Sequence, residues 1–144
     1  MAIFSRNILV HSSDIDLAGI LFYPRYFEMT SALIEDWFAE ELGYPFNAMH
    51  QIKNFGVPTI SLDISFSAAS HIADLLHFTL GVARLGKSSF TLDITATYGS
   101  EERLHMRQVM VYVALGTKIK PVALPDDLRA HMEPFLESDA AKDS

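Results

Sequence analysis

Two carboxylates, Asp14 and Asp16, stand two residues apart in the segment Asp14-Ile15-Asp16-Leu17-Ala18-Gly19-Ile20-Leu21-Phe22-Tyr23-Pro24-Arg25-Tyr26. Pro24 opens the periodic run beyond them. Proline suits a first helical turn, where its missing N–H would have no intrahelical partner. The segment therefore reads as a carboxylate-bearing loop feeding a helix N-terminus. Such a terminus offers unpaired amides and the positive end of the helix dipole, and Gly19 permits close backbone approach. A carbonyl oxygen docked near Tyr23 would be polarised there, within reach of an aspartate a few residues earlier. Aspartate is also an ordinary turn residue, because its side chain accepts backbone N–H bonds. Spacing alone leaves both roles open.

Other chemistries fit less well. Gly81-Val82-Ala83-Arg84-Leu85-Gly86-Lys87-Ser88 matches G-x-x-x-x-G-K-[ST] in full. That motif needs a loop between a strand and a helix, whose amides hold phosphate. Here the match begins inside a strand pattern, and Ser89 to Tyr98 alternates as another strand. A hairpin turn at Gly86-Lys87 is the better reading, with Lys87 and Arg84 still able to meet a phosphate from the surface. No serine sits in a G-x-S-x-G elbow. The six histidines, His11, His50, His71, His77, His105 and His131, lack the tight spacing of a metal site.

The elements that must position the loop are set by periodicity. Ile3 to Val10 reads as a first strand. A helix from Pro24 to about Leu42 carries Tyr26, Met29, Leu33, Trp37 and Phe38 on one side. Gly43 and Pro45 end it. The period then changes to two. Ile60 to Phe66, Leu76 to Ala83 and Phe90 to Tyr98 alternate as half-buried strands. A further strand is expected from Leu104 to Leu115, with its apolar second half deep in the sheet. Connections at Gly86-Lys87 and Gly99-Ser100-Glu101-Glu102 are too short for parallel crossovers, so the sheet is antiparallel. A short helix runs from Pro125-Asp126-Asp127 to about Met132, stopped by Pro134. The fold class is α+β, with residues 1–136 as one domain and 137–144 as a solvated tail. One helix covers one face of such a sheet, and a second subunit is the favoured cover for the other.

Composition narrows the function classes. The chain has 144 residues, 49% of them hydrophobic, and a formal net charge of −7. That charge argues against nucleic-acid binding, which favours a basic face. No apolar run reaches the length of a membrane span, and Arg6 and Asn7 interrupt any signal-like start. A cytoplasmic location and no membrane partner are the resulting expectations. Cysteine is absent, which removes disulfides, thiolate catalysis and Cys-based zinc sites.

The pattern Asp14-x-Asp16-x-Ala18-Gly19-Ile20-x-x-Tyr23-Pro24-x-Tyr26 resembles the signature of the 4-hydroxybenzoyl-CoA thioesterase family, of hot-dog fold. Gly56-Val57-Pro58 and Lys87-Ser88-Ser89-Phe90 are weaker matches, and the element order agrees to about Gly116. The resemblance implies a long central helix wrapped by a curved five-stranded antiparallel sheet. It implies homodimers or homotetramers with active sites at the dimer interface, and hydrolysis of an acyl-CoA thioester without a cofactor or metal. Asp16 matches the family's catalytic carboxylate, as nucleophile or as base for water. The Tyr23 backbone N–H matches the group that polarises the thioester carbonyl. Val57, Pro58 and Thr59 match the stretch that faces the site from the partner subunit. The hairpin with Arg84, Lys87 and Ser88 lies where CoA phosphates are met. This chain has fewer basic residues there than the family pattern, so Lys53, Lys118 or Lys120 are further candidates, and CoA is preferred to an acidic carrier protein.

Two alternatives use the same scaffold. An enoyl-CoA hydratase or dehydratase would need a histidine beside the carboxylate, and His11 is the nearest. A non-catalytic acyl-thioester-binding protein would bind without turnover. The acyl group is not legible. Phe22, Tyr23, Tyr26 and Trp37 are candidates for an aryl pocket, with core packing as the competing role of Trp37.

Overall fold

A computed structural model of the chain describes residues 1–137. Its main sheet contains β1 (Phe4–Leu9), β3 (Thr59–Phe66), β4 (Leu75–Leu85), β5 (Ser89–Tyr98) and β6 (Glu101–Val111). All pairings are antiparallel, in the order β1-β4-β5-β6-β3. A second, smaller sheet joins β2 (Phe55–Gly56), β7 (Val113–Ala114) and β8 (Lys120–Pro121). The α-helices among the described residues are α1 (Tyr23–Glu40, 18 residues) and α2 (Asp126–Met132). The architecture is α+β with a five-stranded antiparallel sheet.

Alternation decides which face is buried. In β5, Phe90, Leu92, Ile94 and Ala96 point into the core, while Thr91, Asp93, Thr95 and Thr97 lie half-buried on the opposite face. Leu76, Phe78, Leu80 and Val82 of β4 join them. Onto this surface α1 places Tyr26, Met29, Thr30, Leu33, Ile34, Trp37 and Phe38. Trp37 is 0% exposed and meets Phe38 and Phe135 edge-on. It is a core residue, which removes it from the aryl-pocket candidates. Beyond Glu41 the chain turns away through Gly43, whose φ of 71° suits glycine.

The expected strand from Leu104 to Leu115 is two strands. β6 stops at Val111, and Val113–Ala114 crosses into the small sheet opposite Phe55–Gly56 and Lys120–Pro121. Its apolar stretch is therefore buried by a change of sheet, not by a central place in the main one. Met110, Val111, Tyr112 and Val113 are all buried at this corner.

The connection from β3 to β4 shapes the surroundings of the α1 N-terminus. β3 is an edge strand, separated from β4 by β6 and β5. The segment 67–74 must cross three strand spacings, roughly 14 Å. It runs past the end of the sheet nearest the start of α1. The Leu21 N–H donates to the Ser70 carbonyl (2.8 Å), and the Ala73 N–H donates to the Val10 carbonyl (2.9 Å).

Of the expected tail, residues 138–144 lie outside the described part of the chain. Glu137 does not stand free: its N–H donates to the Val82 carbonyl at 2.9 Å. Burial, and then the neighbouring Asp93 carboxylate, push its carboxyl up to about 7. The native state thus holds a proton there that the unfolded chain releases above about 4.3. Its contribution to stability is present below that pH and is lost as pH rises through about 7. Glu137→Gln should flatten this loss between pH 5 and 8 in urea titrations, and an unaltered pH slope would contradict the assignment. No helix among the described residues is long and apolar enough to cross a membrane.

Candidate functional site

The loop between β1 and α1 is held by its own aspartates. The Asp16 Oδ1 accepts the Ala18 N–H at 2.8 Å and the Ile20 N–H at 3.4 Å. The Asp16 N–H donates to the Ile20 carbonyl (2.9 Å), and the Gly19 N–H to the Asp16 carbonyl (3.0 Å). This tight return needs the φ of 80° that Gly19 adopts. Ile15 and Leu21 close it with an antiparallel bridge. Asp14 has a different job. Its Oδ2 accepts the His11 N–H at 2.9 Å, and its carbonyl accepts the Phe22 N–H at 2.9 Å. Asp14 shapes the loop on the side of β1, while Asp16 organises its tip. Asp16 Oδ2 has no hydrogen-bond partner among the described residues.

Helix α1 then begins at Tyr23, with Phe22 as N-cap and no side chain capping it. Among the described residues the Tyr23 N–H takes part in no loop hydrogen bond. An amide at a helix start with no internal partner is a ready donor to an oxygen ligand, helped by the helix dipole. The end of the loop, Tyr23 and the crossing segment line an open cavity of about 300 Å³. Ile20, Leu21, Tyr23 and Tyr26 form one wall, and residues 66–70 form the other. Asp16 does not line the cavity itself but holds, through the Ala18 and Ile20 amides, the loop that supplies the first wall.

Sequence reasoning did not single out Ser70, Asp74 or Arg103, yet Ser70 lines this cavity and Arg103 and Asp74 hold it from behind. Arg103 Nη1 donates to Ser70 Oγ (3.0 Å) and to Asp74 Oδ2 (2.9 Å), and Arg103 Nε donates to Glu101 Oε1 (2.6 Å). The Ser70 and Tyr26 hydroxyls meet at 2.7 Å. The signal available in the sequence was an arginine opening an otherwise alternating strand. Its burial depends on the crossing segment folding over it, which periodicity does not report.

The remaining candidates lie elsewhere. Leu75, where β4 begins, pairs with Leu9 just before the aspartate loop, whereas Lys87 lies past the other end of β4. An 11-residue strand spans roughly 35 Å. Arg84 and Lys87 are exposed there, with Ser88 half-buried. The turn is not a phosphate cradle. The Gly86 N–H donates to the Ser89 carbonyl, and Arg129 donates to the Gly86 and Lys87 carbonyls, so its carbonyls face a cation. Val57 and Pro58 sit near the same end, lining an apolar depression of about 400 Å³ with Phe46, His50 and Leu115. Thr59 starts β3, its hydroxyl accepting from Gln108 at 2.7 Å. Lys120 of β8 and Lys53, whose ammonium lies 5.6 Å from the Tyr44 ring centre, flank this end, as does Lys118.

One chain therefore separates Asp16, Tyr23 and the cavity from Val57, Pro58, Thr59, Arg84, Lys87 and Ser88. His11 lies 4.0 Å from Asp14, not beside Asp16. Among the described residues no group of three or more His, Asp or Glu is placed to hold a metal ion.

Comparisons with known proteins bear on the family and the fold. The family model described as the thioesterase-like superfamily matches residues 10–132. The 1,4-dihydroxy-2-naphthoyl-CoA hydrolase of Synechocystis sp. is 22% identical over 130 residues, covering 90% of this chain and 88% of that protein. A solved 1,4-dihydroxy-2-naphthoyl-CoA thioesterase from Synechocystis superposes with a TM-score of 0.82 at 20% identity, covering 91% of this chain and 96% of the other. The 4-hydroxybenzoyl CoA thioesterase of Pseudomonas sp. strain CBS-3 superposes with a TM-score of 0.80 at 18% identity, covering 90% and 98%.

Proposed function

The chain belongs to the thioesterase-like superfamily, and from that premise we propose that it hydrolyses an acyl-CoA thioester, with an aromatic acyl group preferred, to the free acid and CoA. The observation that carries this reading is the pairing of Asp16 with the α1 N-terminus. One carboxylate oxygen is held by the Ala18 amide, the other has no partner, and the Tyr23 N–H is available across the loop. The thioester carbonyl docks with its oxygen on the Tyr23 amide, which stabilises the charge that develops as the carbonyl becomes tetrahedral. Asp16 Oδ2 then takes a proton from a water that attacks the carbonyl carbon, or attacks that carbon itself to form an acyl-aspartyl anhydride that water hydrolyses once CoA has left. The C–S bond breaks and CoA leaves as the thiolate. The apolar walls of the cavity hold the acyl group. In this reading α1 is the central helix of a hot-dog domain spanning residues 1–136.

A second copy completes the site. β3 is an edge strand that exposes Ile60 (61%), Leu62 (42%) and Phe66 (46%), together with a row of unpaired backbone groups. Antiparallel pairing of two β3 edges about a two-fold axis sets Thr59 of one protomer beside Phe66 of the other. Phe66 lines the cavity. That pairing carries Val57, Pro58 and Thr59 to the partner's Asp16 loop. The basic residues at the same end, among them Lys87, Arg84, Lys53, Lys118 and Lys120, then approach the phosphates of the bound CoA.

Acyl-CoA panels monitored by thiol release test the reaction, and no turnover of any aromatic or aliphatic member would refute it. For the assembly, Leu62→Lys should convert a sedimenting dimer or tetramer into monomers and reduce kcat/KM by about 10²-fold or more, because a charge on a paired edge opposes association. A wild-type monomer with full activity would overturn the composite site.

A further inference from the structure

The cavity beside α1 is mostly apolar, with Tyr23 and Ser67 at its exposed edge and one buried polar place. Tyr26 and Ser70 both line it, and both are buried, at 3% and 1% exposure. Their hydroxyls are 2.7 Å apart. Two hydroxyl groups carry two protons, and the bond between them uses one. Arg103 Nη1 donates to Ser70 Oγ at 3.0 Å, occupying a lone pair without supplying an acceptor. One O–H hydrogen is therefore left over, on either Tyr26 or Ser70 according to which of them donates. Neither hydroxyl has a further partner among the described residues to take it. A buried donor without an acceptor is costly. The arginine behind the pair also polarises it, which makes the remaining O–H a better donor.

We propose that the Tyr26–Ser70 pair is a hydrogen-bond-donor pole that reads an oxygen on the acyl group, and so discriminates oxygen-bearing acyl chains from plain hydrocarbon ones. This rests on the thioesterase reading for its substrate, but not for the pole itself. The volume, about 300 Å³, lies at the small end of ligand pockets and suits an acyl group rather than a nucleotide. The position also fits. The Ser70 carbonyl accepts the Leu21 N–H at 2.8 Å, so the residue that reads the acyl group is bonded to the loop that carries Asp16. Tyr26 lies one helical turn beyond Tyr23, whose amide receives the thioester oxygen in the proposed reaction. An acyl group lying along this turn has its carbonyl at one end and the hydroxyl pair at the other. Arg103 is a positioning residue here. It fixes Ser70 through one Nη1 hydrogen while the other Nη1 hydrogen goes to Asp74 and Nε donates to Glu101.

The test compares benzoyl-CoA with its 2-, 3- and 4-hydroxy derivatives, using wild type, Tyr26→Phe and Ser70→Ala. Wild type should favour at least one hydroxylated substrate by about tenfold in kcat/KM, the scale of one hydrogen bond in a buried site. In Tyr26→Phe that ratio should fall to near one. A structural role would slow all four substrates alike and leave the ratio unchanged, which would overturn the proposal. So would a wild-type enzyme with no hydroxyl preference. Ser70→Ala removes a partner of Arg103; where it fails to fold, Tyr26→Phe decides. Calorimetric binding of benzoate and the hydroxybenzoates to the same proteins separates the two readings. A hydroxyl preference in binding that Tyr26→Phe removes, without turnover of any thioester, supports the pole and refutes the hydrolase. Turnover with an unaltered preference does the reverse.

Discussion

Asp16→Asn is expected to lower kcat for aryl-CoA hydrolysis by about 10²–10⁴-fold, the range for loss of a positioned proton acceptor. Fold and melting temperature should change little. The reason is local. The Asp16 Oδ1 accepts the Ala18 N–H at 2.8 Å, and an asparagine oxygen can accept the same bond. The loop keeps its turn and only the charged, partnerless oxygen is replaced. Asp16→Ala would remove both the chemistry and the turn, so the two substitutions separate catalysis from loop shape. Asp14→Asn is the matched control, because Asp14 Oδ2 is already held by the His11 amide, a bond that an asparagine oxygen can accept as well. Thiol release under saturating substrate, with circular dichroism as the check on folding, measures the effect. Near-wild-type kcat in a folded Asp16→Asn protein would remove this carboxylate from the mechanism.

The largest stability effect is expected at Arg103. Its side chain is 7% exposed and that of Asp74 is 15% exposed. Burial acts to pull the Arg103 guanidinium down, but its bonds to Asp74 and Glu101 outweigh that and raise it. Burial likewise acts to raise Asp74, and the His71 amide and Arg103 together outweigh it, holding the carboxyl below the usual carboxylate range. Arg103→Met would strand a mostly buried carboxylate. Losing one member of a buried pair costs about 3 kcal/mol, or roughly 10 °C in Tm for a domain of this size. The Glu101 contact adds little, since its side chain is 59% exposed. Adding Asp74→Asn to Arg103→Met should recover part of the loss, because the stranded charge is gone. Asp74 sets the sign of the pH dependence. Its depressed carboxyl stabilises the fold above about 3.9, its unfolded value, and that contribution disappears as pH falls through the lower folded value. The gap between wild type and Arg103→Met should therefore narrow in urea titrations below about pH 4. A gap that is small at pH 7, or that widens in acid, would show that the pair is not what holds the crossing segment.

The strands and α1 were legible because each shows its own period, but the half-buried face expected for Ile60 to Phe66 is not found: β3 is an edge strand, and Ile60, Leu62 and Phe66 are exposed in the single chain. Phe90, Leu92, Ile94 and Ala96 alternate without interruption, and every one is buried in β5. The helix that Pro24 announces begins one residue earlier, at Tyr23. The two hairpins were legible from the shortness of their connections. The split of the strand expected from Leu104 to Leu115 was not, because an apolar run reads the same in one sheet or in two. Likewise, the segment 67–74 has no period of its own. Its path is set by the place of β3 at the edge of the sheet, so the wall it makes for the cavity could not be read from its residues.

The sequence by itself determined the local chemistry of this protein: an aspartate loop, a glycine that allows its return, and a helix start with amides to offer. These depend on residues within a dozen positions of one another, where backbone preferences and side-chain bonds are decided. Only the tertiary structure decided which residues meet across long separations. It brought Tyr26 to Ser70 and Ser70 to Arg103, and it set Lys87 and Val57 at the far end from Asp16. The physical reason is that strand order is a global choice. A strand's pattern says which face is apolar, but not which neighbour it pairs with, and the pairing places the ends of the strands and everything built on them.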